Sequence, residues 1–236
     1  MTYNTHRISP AEYEDFVLSL FFRNEGDISK DVAHAVLGIS TELAEMTAAV
    51  DETNLIEEMG DLLFFGVALD SRLAEFMESA GAEDHVAIPP PLSNVLAMDP
   101  TRIMLRLAKE IGAAFDDEDR NAPLKPDDVG LSLLNMVKKW VGYGAAPSQK
   151  QALNVTSLNF ILTVGSILNA AQRAGMDVDA VLQKVAAANM RKLRERYKAG
   201  FSLKDAESRD RDAERAALER VERLTAAPQR RGGERD

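Results

Sequence analysis

The sequence predicts an all-α protein, and three features support that class. Apolar residues recur at spacings of three and four over long stretches, which is the periodicity of a helix with one buried face. No window shows the sustained apolar–polar alternation of a half-buried strand. Prolines concentrate in two breaks, at residues 81–100 and 116–127, which predict a linker and an acidic loop between helices.

Each helix is predicted from its own apolar stripe and its end residues. Asn54 is expected to cap the helix at 54–77, with Glu57 in the capping-box position. Gly175 is expected to terminate the helix before it, as glycine does just after a helix C-terminus. The predicted helices are residues 11–22, 34–50, 54–77, 101–115, 129–141, 153–174 and 178–197.

Composition narrows the classes of function. The 236 residues include no cysteine, which excludes disulfide frameworks, zinc–thiolate sites and a cysteine nucleophile. The net charge of -10 argues against general nucleic-acid binding. Residues 1–15 lack the pattern of a signal peptide, and the uncharged window 151–172 carries too many polar residues for a membrane span. A cytoplasmic enzyme or binding protein with no nucleic-acid or membrane partner is expected.

Charge is distributed unevenly along the chain. Residues 1–78 carry 16 acidic and 4 basic residues, whereas residues 128–203 carry 4 acidic and 10 basic residues. We interpret the chain as an acidic metal-binding half (1–78), a linker or insert with one helix (79–127), a phosphate-binding second half (128–203) and a charged tail (204–236). Ordinary drift in surface composition is an equally good explanation of the charge split taken alone.

Two pairs of carboxylates are the strongest chemical feature. Glu42 and Glu45 form E-x-x-E in one predicted helix, and Glu58 and Asp61 form E-x-x-D in the next. A spacing of three places both members of a pair on one helix face, with Cβ atoms about 5–6 Å apart. Antiparallel packing of the two helices would bring the four carboxylates together. A hard cation, Mg²⁺ or Mn²⁺ in its place, then offsets their repulsion.

The two acidic segments resemble a known family. Gly38-Ile-Ser-Thr-Glu-Leu-Ala-Glu45, a gap of twelve residues and Glu58-Met-Gly-Asp61 are similar to the E-x-x-E…E-x-x-D motif of the all-α MazG-like nucleoside triphosphate pyrophosphohydrolases. That family folds as a four-helix bundle in which the four acids ligate Mg²⁺. The resemblance therefore implies Glu42, Glu45, Glu58 and Asp61 as metal ligands.

A second resemblance lies near the C-terminus. Asn189-Met-Arg-Lys192-Leu-Arg-Glu-Arg196-Tyr197 is similar to the phrase N-x-x-K-L-x-x-R-Y, whose Asn and Lys contact substrate phosphates in relatives. It implies substrate-binding roles for Asn189, Lys192, Arg196 and Tyr197. Lys138 lies in another run that is similar to relatives and is a further candidate. From the residues alone, Lys138 is equally a solvated helix charge, and Tyr197 fits a packing role.

The second half departs from the family pattern at its acidic positions. Alignment of residues 128–203 to that pattern places Val129, Ser132, Leu158 and Ile161 where carboxylates belong, and none can bind a metal. We interpret the chain as a tandem helical bundle whose second copy is degenerate. Relatives assemble as dimers or tetramers, whereas a tandem chain could complete the bundle alone, so a monomer, a homodimer and a higher homo-oligomer all stay open.

The resemblance implies Mg²⁺-dependent hydrolysis of a nucleoside triphosphate to the monophosphate and pyrophosphate. Glu45 and Glu58 are the expected catalytic carboxylates, with Glu45 orienting the attacking water. The preferred base and sugar stay open. The alternatives are a catalytically inactive nucleotide-binding protein and a helical interaction module whose acids are surface charge. A di-iron bundle is disfavoured because no histidine follows a glutamate by three residues.

Overall fold

The part of the chain that the structure describes consists of helices joined by non-helical connections, which confirms the predicted all-α class. The computed structural model describes residues 7–24, 26–80, 89–115, 128–198, 202 and 212–218. Its α-helices are α1 (Pro10–Leu20), α2 (Ile28–Ala48), α3 (Glu52–Ser79), α4 (Pro100–Phe115), α5 (Asp128–Tyr143), α6 (Gln149–Phe160), α7 (Ser166–Arg173) and α8 (Val181–Arg196). A 3₁₀ helix occupies Leu92–Ala97, and residues 212–218 are also helical. No strand occurs within these ranges.

Helix α3 is the central element, because α1, α2, α6 and α8 all pack on it. Glycines allow other helices to approach closely, and two of these approaches lie near the acidic motifs. A Cβ on Gly38 of α2 would lie 2.4 Å from the Phe65 ring of α3, and a Cβ on Gly60 of α3 would lie 2.9 Å from the Cβ of Asn189 on α8. Larger side chains at either glycine would push the helices apart. The glycine at position 60 therefore sets α8 directly beside Asp61.

One apolar core joins the acidic first half of the chain to the basic second half. Phe76 of α3 lies against Trp140 of α5, with ring centroids 4.7 Å apart. The buried core includes Val36, Ile39, Leu62, Leu63, Leu158, Val164, Val185 and Met190. The described helices of residues 128–198 thus share their buried surface with α3.

The predicted start of α3 is wrong by two residues. Asp51, rather than Asn54, is the N-cap, and its side chain accepts a hydrogen bond from the Asn54 backbone N–H at 2.8 Å. The Asn54 amide instead donates to Glu58 Oε1 at 2.6 Å. Asp51 stands immediately before the first helical residue, Glu52, and its short side chain can accept a hydrogen bond from a backbone N–H of the first turn.

The predicted helix 153–174 is also interrupted. A π-helical turn, Ile161–Gly165, separates α6 from α7. Within it Thr163 lies so close to α3 that a Cβ on Gly66 would come within 2.5 Å of the Thr163 hydroxyl oxygen. Asn159 donates to the Gly66 carbonyl at 2.8 Å and accepts from Thr163 at 3.1 Å. The extra residue of the π turn places these polar side chains against α3.

Other boundaries differ as well. Helix α2 begins at Ile28, earlier than the predicted residue 34, and the predicted linker 81–100 includes the 3₁₀ helix. Gly175, with φ of +69°, terminates α7 as predicted, and the Met176 N–H donates to the Ala171 carbonyl at 2.9 Å. The predicted acidic loop at 116–127 lies outside the described residues, as does most of the tail.

Among the described residues, one helical stretch is long and apolar enough to cross a membrane by length and composition. This is Gln149–Arg173, and 56% of its most apolar window is buried inside the protein. Core helices of globular proteins pass the same test, so the stretch is weak support for a membrane location.

Candidate metal centre

Three of the four predicted ligand carboxylates converge between α2 and α3. Oxygen atoms of Glu42, Glu58 and Asp61 all lie within 4.8 Å of one another. The two helices are joined by the short connection at residues 49–51, so they run antiparallel and bring the acidic ends of both motifs together. The fourth carboxylate, Glu45, is exposed and is not part of this close group.

Glu45 lies instead at a cavity that opens beside the group. The cavity has a volume of about 390 Å³, within the ~300–1,000 Å³ typical of small-molecule sites. Its lining consists of Glu45, Thr53, Asn54, Glu57, Glu58, Glu214 and Arg215. Glu58 therefore belongs both to the buried carboxylate group and to the cavity wall.

Burial and mutual repulsion hold the carboxylates in an unfavourable electrostatic setting. Desolvation, followed by the charges of Asp61, Glu45 and Glu58, raises the pKa of Glu42 to about 9. Desolvation, followed by the charges of Glu57 and Asp61, raises the pKa of Glu58 to about 7. Both carboxyls bind protons near neutral pH unless a nearby cation favours their ionised forms.

Glu42 also has an unsatisfied oxygen. Its side chain is only 9% exposed, and Oε2 is buried with no hydrogen-bond partner. A buried carboxylate oxygen without a donor is costly in free energy. The Glu42 side chain belongs to the group of three carboxylates, so a cation bound by the group could also satisfy this oxygen.

Asp61 is held by two side chains of α8. Asn189 donates from Nδ2 to Asp61 Oδ1 at 2.9 Å, and the Lys192 ammonium forms a short ion pair with Oδ2. Tyr13 donates from its hydroxyl to Asn189 Oδ1 at 3.2 Å. Burial, and next the charge of Asp61, raise the pKa of that tyrosine well above its ordinary value. The tyrosine is therefore a permanent donor that fixes the orientation of the Asn189 amide.

Lys192 is the cation of this group. Its side chain is fully buried, and its ammonium also reaches Glu57 Oε1 at 3.4 Å. Glu57 was expected to cap α3 or to face solvent, but it lies 20% exposed between the cavity and Lys192. The family resemblance implies substrate-binding roles for Asn189 and Lys192, whereas the structure places both against Asp61, a predicted metal ligand.

The remaining predicted substrate residues lie farther from the group. Arg196 donates to both carboxylate oxygens of Glu214, from Nε at 2.6 Å and from Nη2. Tyr197 is the C-cap of α8, and the Arg196 guanidinium lies 5.8 Å from its ring centroid. Lys138 is exposed on α5, which packs on α2 and α6 rather than on α8.

The donor set fits a hard divalent cation. Glu42, Glu58 and Asp61 supply carboxylate oxygens, the ligands that Mg²⁺ and Mn²⁺ prefer. Lys192 neutralises one negative charge of the group. The remaining carboxyls are destabilised in their ionised forms by burial and by repulsion from one another. The orphaned Glu42 oxygen is the most specific sign of this fit, because acidic clusters on their own are common without a metal.

Two contributors to the group were not predicted from the sequence. Asn54 donates to Glu58, and the spacing of four along α3 could have indicated that pair. Tyr13 approaches through tertiary packing, 176 positions away from Asn189, and no local pattern marks it. Comparisons with known protein families, with curated proteins and with solved structures find no match.

Proposed function

We propose that this chain is a Mg²⁺-dependent pyrophosphohydrolase of nucleoside or deoxynucleoside triphosphates, of the MazG-like kind. The observation that carries the proposal is the group of Glu42, Glu58 and Asp61 with oxygens within 4.8 Å and with one buried oxygen unpartnered. A bound divalent ion supplies Lewis acidity and lowers the pKa of a water molecule. The cavity beside the group has room for a polyphosphate chain.

The side chains divide the work by position. Glu42, Glu58 and Asp61 hold the ion, and Asn189 and Lys192 keep Asp61 in place. Glu45, exposed at the cavity, orients and deprotonates the attacking water. Orientation of a ligand carboxylate by outer hydrogen bonds typically changes metal affinity or activity by ~10–100-fold.

The proposal also includes a tandem arrangement of two helical units. Residues 128–203 are a second, degenerate copy of the helical unit that contributes α8 instead of acids. Its contact with α3 is supported by the close approach at Gly60 and Asn189. Assembly as a monomer or as a homo-oligomer is compatible with this arrangement.

A second candidate is a MazG-like protein that binds a nucleotide or a protein partner without turnover. One observation favours it. Both oxygens of Asp61 already have partners, and the ammonium of Lys192 sits where a cation is needed. In that case Lys192 is a built-in substitute for part of the metal charge.

Turnover distinguishes the two candidates. The purified chain is incubated with a panel of NTPs and dNTPs with Mg²⁺ or Mn²⁺, and monophosphate and pyrophosphate are measured. We expect turnover to fall at least ~100-fold in Glu58→Gln and in Asp61→Asn. This loss should be larger than that caused by removing a hydrogen-bond partner of a ligand, because these variants remove the ligand carboxylate itself. Glu78→Gln, an exposed acid at the far end of the same helix, is the matched control and should leave turnover unchanged. Metal binding with no hydrolysis would favour the second candidate, and release of single phosphate would contradict the assigned bond.

A further inference from the structure

The C-terminal segment at 212–218 lies against the cavity of the metal centre. Glu214 and Arg215 line that cavity together with Glu45, Glu57 and Glu58. The sequence analysis assigned no role to this segment. Its placement next to carboxylates of α2 and α3 shows that the tail builds part of the candidate site.

A buried ion pair and an apolar contact attach the segment. Both oxygens of Glu214 accept from the Arg196 guanidinium, and these two side chains are only 4% and 13% exposed. Leu218 is buried against Ile56 of α3 and Ala188 of α8. A bidentate, buried, charge-assisted pair and an apolar contact fix the segment firmly.

Arg215 is attached quite differently. Its guanidinium pairs with Asp51 at 2.8 Å, and the two side chains are 53% and 41% exposed. Exposed ion pairs contribute little net stability, typically ~0–1 kcal/mol. The Asp51–Arg215 pair itself can therefore be exchanged for a pair with a ligand anion at small cost, whereas the buried Arg196–Glu214 pair is harder to break.

Arg215 is the basic residue of a cavity whose described lining is otherwise acidic or uncharged. The other charged residues of that lining are Glu45, Glu57, Glu58 and Glu214. A polyphosphate entering beside these carboxylates needs positive charge on the side away from the metal. Arginine binds phosphate oxygens with two parallel N–H donors.

We infer that Arg215 is a phosphate-binding residue of this site. The inference rests on the proposed function for the identity of the site, and it extends the site to a segment of the tail.

Calorimetric titration with Mg²⁺–tripolyphosphate tests the inference, with Mg²⁺ alone titrated in parallel. Arg215→Ala should weaken tripolyphosphate binding at least ~tenfold and leave the affinity for Mg²⁺ alone unchanged. Arg102→Ala is the matched control. It removes an exposed arginine of α4 that pairs with Asp99, and it should change neither affinity. Arg215→Lys keeps the charge without the two parallel donors, and should lie between wild type and Arg215→Ala.

Asp51→Asn separates phosphate binding from attachment of the segment. Asparagine still caps α3 but removes the charge that pairs with Arg215. If Arg215 binds phosphate, Asp51→Asn should bind tripolyphosphate as tightly as wild type or more tightly. Equal weakening by Asp51→Asn and Arg215→Ala would overturn the inference, because the ion pair would then only hold the segment.

The remaining outcomes separate the inference from the proposed function. A wild-type chain that hydrolyses no nucleotide but shows the Arg215-dependent binding would overturn the function and support the inference. A wild-type chain that binds no tripolyphosphate, or an Arg215→Ala chain equal to Arg102→Ala, would overturn the inference even if hydrolysis occurs. Melting curves check that each variant is folded. If Arg215→Ala is unfolded, Arg215→Lys decides: weaker tripolyphosphate binding than in wild type supports the inference, and equal binding overturns it.

Discussion

Helix α3 buries carboxylates at two places, and the two differ in how their charge is balanced. Toward its C-terminus, Asp70 accepts the Leu92 N–H at 2.8 Å and lies near Arg106, so that burial raises its pKa only to about 6. Toward its N-terminus, Glu58 and Asp61 lie with Glu42. There the pKa of Glu42 rises to about 9.

The difference separates a structural polar contact from a candidate site. Near Asp70, Glu110 accepts from Ser157 at 2.7 Å, and the Arg106 guanidinium lies 4.0 Å from the ring centroid of Phe160. Opposite charges meet here, because the Arg106 guanidinium also forms an ion pair with Glu110 at 3.7 Å, although Arg106 Nη1 has no hydrogen-bond partner. At the acidic group, like charges remain together and one Glu42 oxygen has no donor. Unfavourable electrostatics that the fold retains are typical of functional sites.

Lys192→Met should have the largest effect on stability. It removes the buried cation that pairs with Asp61 and leaves that carboxylate among Glu42 and Glu58. Breaking a buried pair costs about 3–5 kcal/mol, so the metal-free chain should unfold at much lower denaturant. Mg²⁺ should restore a large part of the loss, which urea titrations with and without Mg²⁺ measure.

Lys184→Met is the matched control for that variant. Lys184 lies on the same helix and pairs with Glu52 at 2.8 Å, but at the surface. Its loss should cost less than ~1 kcal/mol and should not respond to Mg²⁺. Equal effects of the two substitutions would contradict the role given to Lys192.

Asp70→Ala should have the next largest effect on stability. Unlike the effect of Lys192→Met, this loss should not be reduced by Mg²⁺. It leaves the Leu92 N–H without an acceptor in a buried place, at a cost of about 1–3 kcal/mol. The loss should be equal with and without Mg²⁺, because Asp70 lies outside the carboxylate group. A Mg²⁺-dependent loss in urea titrations would mean that the two parts of α3 are not independent.

The pH dependence should show the smallest effect. A carboxyl whose pKa is raised on folding binds more protons folded than unfolded, so stability falls as pH rises from its ordinary pKa to its raised one. Asp70, with a pKa of about 6, has titrated by pH 7, whereas Glu42, with a pKa of about 9, has not. Between pH 7 and 9 the metal-free chain should lose melting temperature, and Glu42→Gln should flatten this slope. Glu78→Gln should keep the wild-type slope, and a steep slope in Glu42→Gln would contradict the assignment.

The fold class follows from the sequence because helical periodicity is a local property. The apolar stripes predicted α3 and α8 closely, and Gly175 marked the end of α7 correctly. The π turn at Ile161–Gly165 was not predictable in this way. It depends on Thr163 fitting against Gly66 of another helix, which is a tertiary contact.

The candidate site, like the fold, was predictable where it depends on local spacing and not where it depends on tertiary contacts. Spacing along α2 and α3 indicated which carboxylates could share a face, and three of them converge. Spacing could not show that Glu45 points to the cavity instead, because the helix crossing decides that. Nor could it show that the tail brings Arg215 to the same cavity, since that contact joins positions 164 apart in the chain.

Mg²⁺ titration of the metal-free chain by calorimetry tests the central claim most directly. At pH 8, where Glu42 with its pKa of about 9 is protonated, binding should be saturable and should release protons, seen as heats that differ between buffers. Glu58→Gln and Asp61→Asn should weaken binding at least ~tenfold, and Glu78→Gln should bind like wild type. No saturable binding in the wild type, or the same affinity in all four proteins, would contradict a metal centre between α2 and α3.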